Sequence, residues 1–360
     1  MVQRKLLSSA TAILALSLAA SASAAELKQI GTLEVPGEPL NGFDISYVDQ
    51  VTNRYYLADR SNKAVDVFDG ASGKMVDRLP GGFAGQLKTS SVSGPNGVVV
   101  VGGEVWASDG DSTVKIIDLK TKKVTDTVST GGKFRVDEMA YDPKAHVVLV
   151  ANNADEPPFL TLISTKPDHK VMARISLEDA TDGIEQPVYD AVTKRFYVSI
   201  PELKKDKAKG AVAVINPASG KLEKLLPVND CHPNGLVQGP GANLLLGCDA
   251  GGKDSGLPPV FVVMKTDGSV VKVIAGLGSA DMVTYNPKLK QYYTASRGMP
   301  DGPELGVIDA KSNTLVQRIK LPGGNPHSVA VSEKNNHVFL PLSAKDGGCN
   351  GCVAVFAPGS

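Results

Sequence analysis

Seven short segments of this chain look alike, and their spacing constrains the fold more than any other feature. They are GFDISYVD from Gly42, GPNGVVVV from Gly94, RVDEMAYDP from Arg135, GIEQPVYD from Gly183, HPNGLVQG from His232, SADMVTYNP from Ser279 and NPHSVAVS from Asn325. One polar residue aligns across them: Asp44, Asn96, Asp137, Glu185, Asn234, Asp281 and His327, at successive gaps of 52, 41, 48, 49, 47 and 46 residues. Most segments are followed by an aromatic or β-branched strand with a polar end, such as RYYLAD to Asp59 and EVWASD to Asp109. A third strand (AVDVFD, VKIIDL, ELGVIDA) and a fourth (TLVQRIKLPGG) complete the unit. Four strands recurring every ~40–50 residues are the signature of propeller blades. One blade cannot bury both faces of its sheet, whereas blades stacked around an axis can.

The predicted fold is therefore all-β, a single seven-bladed β-propeller; six or eight blades fit if one loop is misread. The 37 glycines and 23 prolines in 360 residues suit many short strands and tight turns better than helices. In the last unit, strands are expected near 327–332, 337–342 and 353–356, with no fourth. LKQIGTLEVPG, from Leu27, reads like MVDRLPGG and VQRIKLPGG, so this first strand is expected to complete the last blade and close the ring. Trp106 is expected between blades, with Tyr56, Tyr197 and Tyr293 in the core.

The first residues read as a leader. Arg4 and Lys5, an apolar run over 10–20 and the small-x-small site Ala22-Ser23-Ala24 form a Sec-type signal peptide. Residues 1–24 are thus assigned to a cleaved signal and 25–360 to the propeller, with a periplasmic destination. No stretch approaches the ~20 apolar residues of a membrane span. Losing the leader takes the basic count from 38 to 36 against 38 acids, a net charge of about −2, which offers no footprint for nucleic acid. In an oxidising compartment the four cysteines become disulfide candidates. Cys231 and Cys248 fall at ends of neighbouring strands that would meet, and Cys349 and Cys352 flank a hairpin tip. The other reading of Cys349-x-x-Cys352 is a redox site, although no βαβ pattern surrounds it.

In a propeller the first strand of each blade lines the central channel, so the seven aligned residues should ring one mouth. Around them, one step outward, should stand the ends of the second strands: Asp59, Asp109, Asn152, Glu202, Asp249 and Arg297. Four carboxylates in the inner ring would repel one another, and a bound cation would relieve that. Oxygen donors favour Ca²⁺ or Mg²⁺, and His327 leaves Mn²⁺ or Zn²⁺ open. The alternative is a solvated mouth in which Arg60, Arg135 and Arg297 pair with the acids. Asn96 and Asn234 occupy Pro-Asn-Gly steps that also suit a turn. His232 reads as a loop-lining residue.

The segment PNGLVQGPGANLLLGCD, from Pro233, resembles the P-N-G-L-x-F-x-x-D-G-x-x-L-Y-V-x-D unit of the gluconolactonase and senescence-marker propellers, and GPNGVVV echoes it. That resemblance implies an axial divalent metal held by Glu185, Asn96, Asn234 and Asp281, and hydrolysis of a lactone or ester. Asp281, or one of Asp44, Asp137 and His327, would then activate water, and Arg297 would orient an anionic substrate. Such propellers have six blades. Seven blades, short repeat units and a signal peptide resemble instead the periplasmic YVTN-type repeat proteins, which include scaffolds, companions of redox enzymes and lactonases. The expected function is a metal-dependent hydrolase at the channel mouth. Its rival is a non-catalytic propeller that binds a small ligand or a periplasmic partner protein. A catalytic metal needs converging oxygens, whereas a binding mouth would show its acids splayed or paired with arginines.

Overall fold

The computed structural model describes residues 26–249, 257–346 and 349–359. The expected leader, residues 1–24, lies outside the described residues. Within them the strands form seven four-stranded antiparallel sheets, arranged as a seven-bladed propeller. Blade 1 runs through Phe43–Asp49, Arg54–Asp59, Ala64–Asp69 and Met75–Pro80. Blades 2 to 6 span residues 98–129, 139–176, 187–229, 232–275 and 280–320. Blade 7 takes Ala330–Val331, Val338–Leu342 and Cys352–Pro358 from one end of the chain and Leu27–Glu34 from the other.

The alternation of a strand sends successive side chains to opposite faces, and here both faces meet another blade. Tyr55, Leu57 and Phe68 of blade 1 pack with Phe339, Val353 and Val355 of blade 7. From the opposite face, Tyr56, Val65 and Val67 pack with Val98, Val105 and Ile117 of blade 2. This is why the middle strands carry almost no solvent-facing side chain, and Val147–Asn152 and Gln291–Ser296 are buried throughout. Trp106 is fully buried against Val148, Val150 and Ile163 of blade 3, between blades as expected. Tyr56, Tyr197 and Tyr293 are also buried.

Polar residues at the hairpins between the first and second strands of four blades fix the turns. Asp49, Asp142, Asp190 and Asn286 each accept backbone N–H bonds from residues two and three further on, at 2.8–3.3 Å. Four residues after each stands a left-handed residue: Asn53, His146, Lys194 and Lys290. The side chain mimics a backbone turn and frees the chain to reverse. These acids of the repeat are structural.

Closure uses more than the seventh sheet. Leu27–Glu34 pairs along Cys352–Pro358 from Leu27↔Pro358 to Glu34↔Cys352. Leu27 N–H also donates to Gln317 Oε1 at 2.8 Å, and Gln317 Nε2 donates back to the Leu27 carbonyl at 2.8 Å, tying the closing strand to blade 6. Both expected disulfides are present, Cys231–Cys248 and Cys349–Cys352.

The closing strand should behave as core although it comes from the chain's other end. Leu33 is 5% exposed, so Leu33→Ala is expected to lower the unfolding free energy by about 2–4 kcal/mol. Urea unfolding measures it. A loss below about 0.5 kcal/mol, the size of an ordinary surface substitution, would show that this strand is not integral to the ring.

Candidate functional site

The aligned polar residues do ring one mouth of the channel. Six of the seven, Asp44, Asp137, Glu185, Asn234, Asp281 and His327, line a cavity of about 330 Å³ together with Arg60, Arg135, Arg297 and Glu138. Asn96 is the exception. It is fully buried behind the cavity; its Oδ1 accepts from Arg60 Nε at 3.0 Å and its Nδ2 donates to the Val136 carbonyl at 2.7 Å.

A recurrent irregularity aims these side chains. Ser108 bonds with both Asn96 and Gly97, Ala151 with both Asp137 and Glu138, and Ser199 with both Glu185 and Gln186. Two residues of the inner strand thus oppose one of its neighbour, the pattern of a β-bulge. Blades 1, 5 and 6 shift register at the same place, between Phe43 and Ser46, Pro233 and Gly235, and Ala280 and Val283. A bulge bends the strand and turns a side chain that would otherwise face away. Both Asp137 and Glu138 consequently border the mouth. The Pro-Asn-Gly steps are not turns: neither Asn96 nor Asn234 is left-handed. Their glycines serve close approach. A Cβ at Gly97 would meet the Asp137 carbonyl at 2.3 Å, and one at Gly235 the Ala280 carbonyl at 3.1 Å.

Three arginines answer three of the acids. Arg60 pairs with Asp44 and Arg135 Nη2 lies 2.7 Å from Asp137 Oδ2, with its Nη1 3.8 Å from Asp44. Arg297 Nη1 lies 3.1 Å from Asp281 Oδ2. Asn153 donates to Asp137 at 2.5 Å, and Asn234 Nδ2 reaches Asp281 Oδ1 at 3.4 Å. His327 stacks on Phe43 with ring centroids 4.5 Å apart. Its Nδ1 donates to the Asn325 carbonyl at 2.9 Å, which turns Nε2 toward Asp44 Oδ1 at 3.4 Å.

Two acids have no such partner. The side chains of Glu185 and Glu138 make no hydrogen bond or ion pair among the described residues, and Glu138 is only 4% exposed. Burial raises both carboxyls well above the ordinary range; Asp281 and Asp137 push Glu185 further, and Asp137 and Glu185 push Glu138. Asp137 is raised to about 6, because burial and the nearby Asp44 and Asp281 outweigh Arg135. At Asp44 burial acts upward too, but Arg60, His327 and Arg135 together hold it well below the usual carboxylate range. The mouth thus holds acids paired with arginines beside two unpaired acids whose carboxyls are shifted upward.

The outer ring is mostly structural. Asp59 binds the Asn62 backbone and side chain; burial and Asp66 raise it to about 7. Asp109 accepts from the Ala84 amide and pairs with Lys115 at 3.0 Å, and Asn152 bonds Thr130 and Thr161. Glu202 pairs with Lys207. Asp249 sits opposite His232 in the strand register and adds its field to Arg297. His232 Nε2 meets the Lys207 carbonyl at 2.7 Å, a loop-lining role. Sequence reasoning did not single out Glu138. Its signal was readable: among the residues directly after the aligned ring, Glu138 alone is charged.

The metal set implied by resemblance fits only in part. Glu185, Asn234 and Asp281 share the cavity, but the Asn96 oxygen is committed to Arg60. Among the described residues no three His, Cys, Asp or Glu side chains are gathered as metal ligands. No protein-family model matches this chain, and no curated protein matches it at a significant level.

The upward shift of the Glu138 carboxyl has a stability consequence. Asp137, Glu185, Asp281 and Asp44 all face it with like charge. Its folded pKa lies above the unfolded value of ~4.3, so the folded state binds the extra proton and stability falls as pH rises through that window. Glu138→Gln is expected to raise Tm at pH 8 and leave it unchanged at pH 4. Thermal melts across pH test this; a wild type that outlasts the variant at pH 8 would contradict the assignment.

Proposed function

We propose that this chain is a ligand-binding propeller whose axial mouth takes a small organic cation. Charge accounting supports the reading. The cavity holds five carboxyls, Asp44, Asp137, Glu138, Glu185 and Asp281, against three guanidiniums, Arg60, Arg135 and Arg297. The two left over are Glu138 and Glu185, the carboxyls with no partner. Burial and the neighbouring acids favour a bound proton on each. An ammonium group does the same work with better geometry, since it can donate to more than one oxygen and relieves the cost of an unpaired buried acid. Arg60 and Arg135 serve as a scaffold, because their hydrogen bonds are already taken by Asp44, Asn96, Asp137 and Asn153.

A metal-dependent hydrolase is the second reading, favoured by the common placement of Glu185, Asn234 and Asp281 in the mouth. A divalent ion there would polarise a lactone or ester carbonyl. Arg297, 3.1 Å from Asp281, opposes that ion's charge, so we rank this reading second. Assignment to the periplasmic YVTN-type propellers suits seven blades, and export suits both the leader pattern and two disulfides. A helix long and apolar enough to cross a membrane is absent from the described residues.

Calorimetric titration with propylamine and with propionate decides the sign of the ligand. Saturable heat from propylamine alone, weakened at least about tenfold (~1.4 kcal/mol) by Glu185→Gln, is expected. Binding of propionate alone would reject the cation reading. One tightly held divalent ion per chain, lost in Asp281→Ala, would move the assignment to the hydrolase.

A further inference from the structure

A second cavity adjoins the mouth on the propeller axis. It has a volume of about 410 Å³, and its walls include Val99, Met139, Val188, Val237, Val283 and Ala330 from the inner strands. Ile45 and Glu138 line both cavities, so these two residues stand where the polar mouth and the more apolar channel meet.

Several polar groups in the channel wall are engaged with the protein, while the Tyr189 hydroxyl, also in that wall, makes no hydrogen bond among the described residues. Gln186 Oε1 accepts from the Leu236 and Val283 amides at 2.8 and 3.2 Å, while its Nε2 donates to the Val283 carbonyl at 3.2 Å. In doing so it staples blade 4 to blades 5 and 6. Ser46 and Ser328 bond each other at 2.8 Å across blades 1 and 7. Gln50 donates to the Val331 carbonyl at 2.8 Å and accepts from Glu333 N–H at 2.9 Å. Glu138 is the one carboxyl in that lining. It is buried, bounds both cavities, and its side chain has no partner among the described residues.

Unpaired buried polar groups in native proteins are few and call for a reason. Here the reason must satisfy two surfaces at once. A metal ion would answer the carboxylate and leave the apolar wall unused. An apolar molecule without charge would fill the channel and leave the Glu138 carboxyl without a partner. We propose that mouth and channel together bind one amphiphilic amine, with its ammonium group on Glu138 and its apolar chain between the inner strands. The proposal rests on the mouth being a cation site and adds the chemical class of the ligand. Both cavities fall within the ~300–1,000 Å³ of ordinary small-molecule sites.

The experiment is a chain-length series, propylamine to heptylamine, titrated by calorimetry into the unmodified protein and into Glu138→Gln and Thr284→Phe. Thr284 lines the channel and not the mouth, and is half-buried, so a ring there narrows the channel alone. Affinity should rise about fourfold per methylene, on the order of 100-fold over the series. Thr284→Phe should keep the propylamine affinity and lose the gain with length; Glu138→Gln should weaken every member. Equal binding of propylamine and heptylamine would overturn the channel while leaving the mouth as a cation site. Failure of both amines would overturn both readings. A length dependence that survives in folded Thr284→Phe would place the chain elsewhere and overturn the inference. Should Thr284→Phe not fold, the series in the unmodified protein still decides it.

Discussion

Side chains of the middle strands point alternately at the two neighbouring blades, and the ring depends on that two-sided apolar contact. Tyr55 faces blade 7 and Tyr56 faces blade 2, and both are fully buried. A blade at the end of an open row would leave one such face in water, which is why the strand Leu27–Glu34 returns to finish blade 7. Once the ring closes, seven inner strands converge on one axis and their backbones crowd. Gly97 and Gly235 stand where a Cβ would strike the next blade. The space that remains is the axial pair of cavities, so the site is a by-product of closure whose lining is then free to carry chemistry.

Electrostatics at the axis follows from this crowding. Five carboxyls in one mouth cannot all stay ionised in a half-dry space. The chain pairs three of them with Arg60, Arg135 and Arg297, and burial with the neighbouring acids pushes the carboxyls of Glu138 and Glu185 upward. Asp44 and Glu185 are a useful contrast. Both come from the aligned position, both are desolvated, and their pKa values move in opposite directions because Asp44 has a guanidinium and Glu185 has none.

Much of this was legible in the sequence because a period is a robust signal. The period of the aligned residues predicted seven blades, the likeness of LKQIGTLEVPG to other fourth strands predicted the closing strand, and strand ends and a hairpin tip predicted the cysteine pairs; six of the seven aligned residues border one cavity. The outer ring was legible in position but not in purpose. Asp59 and Asp109 sit at strand ends as expected, yet they bind Asn62 and Lys115. Asn96 failed differently: its spacing matches the ring, but a guanidinium from the neighbouring blade claims its oxygen, and such a contact between distant segments leaves no trace in a local motif. The Pro-Asn-Gly steps looked like turns because the same residues suit turns; only the approach of the adjacent blade reveals why glycine is there.

The bulge is what lets a repeated blade carry a site that is not repeated. In a regular strand Asp137 and Glu138 would point to opposite faces, and one of them would enter the apolar contact between blades. Opposed together by Ala151, both turn to the axis, so a charged residue can stand at either position without disturbing the blade packing. Blades 2 and 5 use the second position for glycine, blades 1 and 6 for Ile45 and Met282, and blade 4 for Gln186, which locks neighbouring strands. Blade 3 alone places an acid there. Glutamine or methionine would hold the channel at least as well, since neither is strained by like charge from Asp137 and Glu185. A residue that stability would not choose, at a position that packing leaves open, points to a role outside the fold itself. The axis of this propeller therefore has a structural half, built by Gln186, Ser46 and Ser328, and a half centred on Glu138 where the proposed ligand would sit.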